Sequence, residues 1–317
     1  HLLLRSVEKM LESGALDREA AKEEISIYVM LRAYDAAFFR KDPRKAVFEL
    51  DGITSLIPEG SGCVWLSNHE SIRLWSLRTA GLLDQAMEAT KKASAKNQRS
   101  YRSLPQAAIL QFELAAPAKG MASIRRYAKL VDSGTEVVGT SYGYMPLLFG
   151  LLYLRIGSPT FVEMAQKYHD IAVAKSLFAN GSLAVRTFFP ACMAIRDGVE
   201  DQARRYYRTY KRATDRLLVV YHLHPVHLRA LLATAAGMPI RAGHHFRRSI
   251  AICKKRDLLL EHAWVCYDYA AMLMSTGRSY SRAIRLIADA GTAAEEMGSV
   301  LLREAVATLK NKYPEVT

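Results

Sequence analysis

LRALLATAAGMPIRAGHHFRRSIAICK, residues 228–254, and HAWVCYDYAAMLMSTGRSYSRAIRLIADAGTAAEEM, residues 262–297, are the two stretches whose reading decides the fold. Each reads as an apolar helical segment, a turn at Gly237 or Gly277, and a second, amphipathic helix. The segments are 228–236 with 240–254, and 262–276 with 280–297. Trp264, Tyr267, Ala271 and Met274 fall at i, i+3, i+7 and i+10, the spacing of one helical face. Glycine suits such turns because it takes a positive φ without steric cost.

Working outward from these two hairpins, turn residues recur at Asp42, Gly81, Gly120, Gly157, Gly198, Gly237 and Gly277. The intervals are 39, 39, 37, 41, 39 and 40 residues, too regular for scattered glycines, so one structural unit is read at each turn. Ala86, Ala203 and Ala242 lie five residues after a turn, and Ala283 six after. Gly150, Ala191, Ala230 and Ala270 lie seven before one. Small residues on both helices let the two members of a hairpin approach closely. Two positions depart from the pattern: Arg125 stands where the small residue should follow Gly120, and the first unit has Asp42 and Pro43 in place of glycine.

This periodic pattern, over roughly residues 20–309, resembles the tetratricopeptide-like (TPR-like) repeat family in its relaxed form, with units longer than the usual ones. Such arrays occur in transcription regulators of the maltose-activator type, in signalling ATPases and in soluble adenylyl cyclase tails. The resemblance implies an all-α fold, a right-handed TPR-like superhelical solenoid of about seven helix-turn-helix repeats. The expected organisation is a lead-in helix over 1–19, the array over 20–297, and a capping helix and tail over 298–317. Asp17, Glu19, Glu23 and Glu24 give the helix over 20–40 the acidic start its dipole favours. Pro43, Pro159 and Pro239 fall just after turns, where a first-turn proline is tolerated, and Pro314 stops the last helix. Residues 136–140 are the only β-leaning run.

Composition is compatible with this. At 317 residues, 50% hydrophobic and 24% charged, the chain exceeds one ordinary compact domain, leaving two or three domains or one array. The longest apolar stretch, 145–154, is closed by Arg155 and falls well short of the roughly 20 residues that span a bilayer. No signal peptide is visible. Cys63, Cys192, Cys253 and Cys266 are widely spaced, which fits a reducing, cytoplasmic setting. We expect the chain to be part of a larger signalling or regulatory protein, with any catalytic domain outside it.

Few motifs carry chemistry. Gly139, Thr140, Ser141, Tyr142 and Gly143 match the G-x-S-x-G nucleophile elbow, but that motif needs a strand and a sheet that nothing else supplies; the reading is a connector. His69 and Glu70 begin an H-E-x-x-H look-alike that ends in Arg73, so the second zinc ligand is missing. His222, His224 and His227 cluster around Pro225, with His244 and His245 one helix later; polar packing or a solvated surface is preferred to a metal site. Phosphate-binding glycine loops are absent. The expectation is no enzyme, no metal and no cofactor.

Charge says more. Residues 182–256 hold 15 Lys and Arg against four Asp and Glu, which places +11 of the net +13 in 75 residues. Arg204, Arg205, Arg208, Lys211, Arg212 and Arg216 follow the Gly198 turn; Arg241, Arg247, Arg248, Lys254, Lys255 and Arg256 follow the Gly237 turn. On second helices of successive repeats these would merge into one convex ridge, with Tyr206, Tyr207 and Tyr210 interleaved. Such a ridge is either plain solvated surface or a site for an acidic protein segment, nucleic acid or anionic lipid, the acidic segment being preferred because no nucleic-acid module appears. First helices would line a groove, with Tyr144, Tyr153, Trp264 and Tyr269 facing it or packing as core aromatics. The expected function is a protein-interaction or scaffold module that docks a partner or domains of the same parent chain. Two alternatives are an effector-sensing regulatory domain with a small ligand in the superhelix, and nucleic-acid or anionic-surface binding through the ridge.

Overall fold

The computed structural model describes residues 43–54, 63–96, 103–133, 138–174, 183–212 and 223–314, together with 6, 9, 10, 13, 14, 28 and 31. Most of the expected lead-in helix lies outside these residues, as does the first turn residue, Asp42. Among the described residues the protein is all-α, without a strand. Consecutive helices pack on one another, as an α-solenoid requires.

The chain divides into two compact units, one made of His1–Phe112, Ala116–Ile124 and Arg256–Leu258, the other of Glu113–Ala115, Arg125–Lys255 and Leu259–Thr317. The first holds α1 (Pro43–Thr54), α2 (Cys63–Thr79), α3 (Leu83–Lys96) and most of α4 (Ser103–Glu113). Helix α5 (Pro117–Asp132) begins in the first unit and ends in the second. The second unit continues with the hairpins α6 (Val138–Ile156) with α7 (Pro159–Ala174), α8 (Leu183–Arg196) with α9 (Glu200–Arg212), α10 (Pro225–Ala235) with α11 (Pro239–Lys255), and α12 (Leu259–Ser275) with α13 (Tyr280–Met297). Helix α14 (Val300–Lys312) closes the series on α12 and α13, where a capping helix was expected.

Within the second unit each first helix packs on its own second helix and on the first helix of the next hairpin: α6 on α8, α8 on α10, α10 on α12. First helices are therefore buried on several sides, and this is why they read as apolar nearly all round. In α10 the nine residues Pro225 to Ala233 are all buried. Second helices bury one stripe, seen in α13 as Ala283, Leu286, Ile287, Ala290, Ala294 and Met297.

The turns follow from backbone geometry. Gly81, Gly157, Gly198, Gly237 and Gly277 all have φ between +65° and +80°. At Gly237 the next N–H, that of Met238, donates to the Ala233 carbonyl at 2.9 Å, the bond that ends a helix on a left-handed residue.

The third turn is not at Gly120. It runs through Ala115, which takes φ +53° itself, with the Ala116 N–H donating to Gln111 O at 2.7 Å. Gly120 lies inside α5, five residues after this turn, and is buried against Phe112. It is the small residue of its hairpin, so the apparent departure at Arg125 disappears. Ala86, Ala203, Ala242 and Ala283 are likewise wholly buried. Gly150 acts differently from expectation: it faces the Phe189 backbone of α8, the neighbouring first helix, and a Cβ there would lie 3.1 Å from Phe189 Cα.

Candidate functional site

The G-x-S-x-G match lies within α6, so Ser141 sits in a helix and on no strained strand-to-helix turn; the connector reading gives way to helix as well. His69 and Glu70 lie in α2, and Arg73 of the same helix donates to Asp51 Oδ1 at 2.6 Å. No group of three or more His, Cys, Asp or Glu among the described residues is placed to hold a metal. No helix among them is long and apolar enough to cross a membrane.

Pro225 opens α10, where its fixed φ fits the first turn, and His224 is the N-cap, its Nδ1 accepting from Val226 N at 3.2 Å. His222 lies outside the described residues. His227, in the first turn of α10, is completely buried, with Nδ1 2.8 Å from Glu261 Oε1 and Nε2 2.8 Å from Asp268 Oδ2. Both ring nitrogens face carboxylate oxygens, so both carry protons and the ring is an imidazolium. Asp268 Oδ2 also accepts from Arg155 Nη1 at 2.8 Å, and Glu261 Oε1 accepts the His224 N–H at 2.9 Å.

Two cations and two anions thus neutralise one another, with side-chain exposure of 9% for Arg155 and 11% for each carboxylate. Burial alone would lower the His227 pKa, but Glu261 and Asp268 raise it. Burial would likewise raise both carboxylates, yet the cations hold them below their usual range, His227 foremost for Glu261 and Arg155 for Asp268. The Arg155 guanidinium lies 4.1 Å over the Trp264 ring, whose Nε1 donates to the buried Glu113 at 3.3 Å. Glu113 also accepts from Ser299 Oγ at 2.8 Å, and Ser299 is the N-cap of α14. Ion pairs and cation–π contact join α6, α10 and α12 along their first-helix faces.

Two of the aromatic groove candidates are core residues. Trp264 is 3% exposed within this cluster, and Tyr269 is 2% exposed, its ring stacked on Phe246 at 5.0 Å. Tyr153 is half-buried and donates its hydroxyl to Asp197. The Tyr144 side chain lies outside the described residues.

The basic residues fall on the second helices α9 and α11. Arg205, Arg208, Lys211, Arg241, Arg247, Arg248, Lys254 and Lys255 are exposed, and Arg204 is half-buried, paired with Glu200. The side chain of Arg212 and all of Arg216 lie outside the described residues, and half-buried Arg256 belongs to the first unit. The two helices are neighbours: Tyr207 on α9 hydrogen-bonds His245 Nε2 on α11 at 3.0 Å. His245 senses the local field. Burial first, then Arg229, His244, Arg248 and Arg241, push its pKa down to about 4. Tyr207 and Tyr210 are buried and Tyr206 is half-buried, so the interleaved rings are anchors of α9.

The chain matches no protein-family model and no curated protein.

Proposed function

We propose that this chain is a non-catalytic interaction module whose second unit docks an acidic protein segment on the basic face of α9 and α11. The observation that carries this reading is the separation of roles between helices. The first helices α6, α10 and α12 pair charged side chains with one another in the Arg155–His227–Glu261–Asp268 cluster. Second helices leave a run of Lys and Arg exposed, beside a histidine kept neutral in part by their field. Concentrated charge of one sign accelerates and orients encounter with a partner of the other sign.

Burial of Tyr207 and Tyr210 favours carboxylates over bases as the target, because nucleic-acid binding of this kind relies on exposed rings for stacking. Buried thiols at Cys192 and Cys266 suit a reducing, cytoplasmic setting. The test is fluorescence anisotropy with a labelled oligoglutamate peptide and a single-stranded oligonucleotide of equal length. The peptide should bind, weaken with salt, and be lost in the variant Arg205→Glu, Arg208→Glu, Lys254→Glu, Lys255→Glu. Preference for the oligonucleotide at matched salt, or indifference to the four reversals, would overturn the reading.

A further inference from the structure

Between α11 and α13, with Tyr269 of α12 at its base, lies a cleft of about 390 Å³ into which Arg247, Arg282 and Arg285 project. Like charges gathered in one small space repel unless something neutralises them. None of the three forms an ion pair with a carboxylate among the described residues. Arg247 and Arg282 instead each donate a long hydrogen bond, of 3.4 and 3.5 Å, to the Tyr269 hydroxyl oxygen. That oxygen accepts from both arms, so its own proton is left to point elsewhere. The ring beneath it is held by the stack on Phe246 and by burial, which sets a fixed point between the two guanidinium groups.

Asp289 also lines the cleft, so three positive charges and one negative leave a net +2. A phosphomonoester carries about −1.5 to −2 at neutral pH and offers three strong acceptor oxygens, a match in charge and in number of acceptors; a single carboxylate supplies only half of that charge. Guanidinium forks are the side chains best shaped to grip it. Ile250 and Leu286 give the same cleft an apolar wall. Its volume lies toward the small end of small-molecule sites.

From this geometry we propose that the cleft binds a small phosphorylated organic molecule, with Arg247, Arg282 and Arg285 on the phosphate, the Tyr269 hydroxyl donating to it, and Ile250 and Leu286 against the organic part. The cleft shares Arg247 with the basic face of α11, but its other phosphate contacts lie on α12 and α13, so its test does not depend on the proposed docking function. Sequence alone offers little hint of it, since Arg282 and Arg285 lie beyond the most basic segment and Tyr269 reads as a groove aromatic.

Isothermal titration of the whole chain with AMP, glycerol 3-phosphate, inorganic phosphate and adenosine tests it. The two phosphate esters should bind, inorganic phosphate more weakly, and adenosine not at all. Arg282→Ala with Arg285→Ala, both at exposed positions, should abolish binding. Tyr269→Phe, which removes only a hydroxyl, should weaken it by about tenfold, as expected for one hydrogen bond to a charged group. The four reversals on α9 and α11 named above spare the cleft residues, so binding should survive in that variant. No binding of either ester at millimolar concentration, or binding unchanged by the double alanine variant, would overturn the proposal. So would capture of a phosphoserine peptide by a chain that ignores both small esters.

Discussion

His227 is the residue on which the interior of the second unit turns. A cation in the first turn of a helix opposes the helix dipole, and one that is also fully buried has no water to stabilise it. It survives there because Glu261 and Asp268 close on its two ring nitrogens, and Arg155 balances the second carboxylate. Removing one member of such a group leaves uncompensated charge, so His227→Gln should cost about 3–5 kcal/mol of stability. The pH dependence has a definite sign. Because the folded pKa of His227 is raised above its ordinary 6.5, its contribution is fully present below pH 6.5 and is lost as pH rises through the folded value. Glu261 and Asp268 are lowered from 4.5 and 3.8, so theirs is present above those values and lost as pH falls through the folded ones. Urea melts of wild type and variant should therefore differ most between about pH 4.5 and 6.5, the gap narrowing above neutrality. A gap that widens with pH would show the imidazole to be neutral in the folded state.

Helix pairs are held at close range by small residues, and two glycines with opposite surroundings test how close. A Cβ on Gly120 would sit 2.7 Å from the Phe112 ring, which is itself buried, whereas one on Gly291 would meet only Val306 Cγ1 at 3.6 Å. Alanine in a helix interior gains up to about 1 kcal/mol over glycine, and overpacking costs about 1–3 kcal/mol. Gly291→Ala should thus raise the melting temperature and Gly120→Ala lower it; two shifts of the same sign would contradict the packing described. The hairpins at Gly198, Gly237 and Gly277 are legible in the sequence because a left-handed turn there calls for glycine. At the third hairpin that signal fails, since Ala115 adopts the same conformation and Gly120 is easily mistaken for the turn. The spacing rule would have located it: wholly buried Ala108 lies seven residues before Ala115, and Gly120 five after. Pro146 and Pro190 lie inside α6 and α8, although proline ordinarily marks a helix end. The partners of His227 are illegible for another reason: no local pattern joins Arg155 to Asp268, 113 residues away.

For the whole chain, the uneven distribution of charge is plain from the sequence, while its division between buried and exposed groups is not. The basic clusters on α9 and α11 stay outward, where the acidic segment was expected to dock, while the aromatic groove candidates Trp264 and Tyr269 turn inward. Acetylation footprinting of the intact chain, with and without saturating oligoglutamate peptide, asks this directly. Lys91 and Lys92 on α3, 70% and 73% exposed, serve as internal references. Docking on the basic face requires that Lys211, Lys254 and Lys255 lose reactivity when the peptide is bound, while Lys91 and Lys92 do not change. Equal protection of all five, or protection of none, would contradict it.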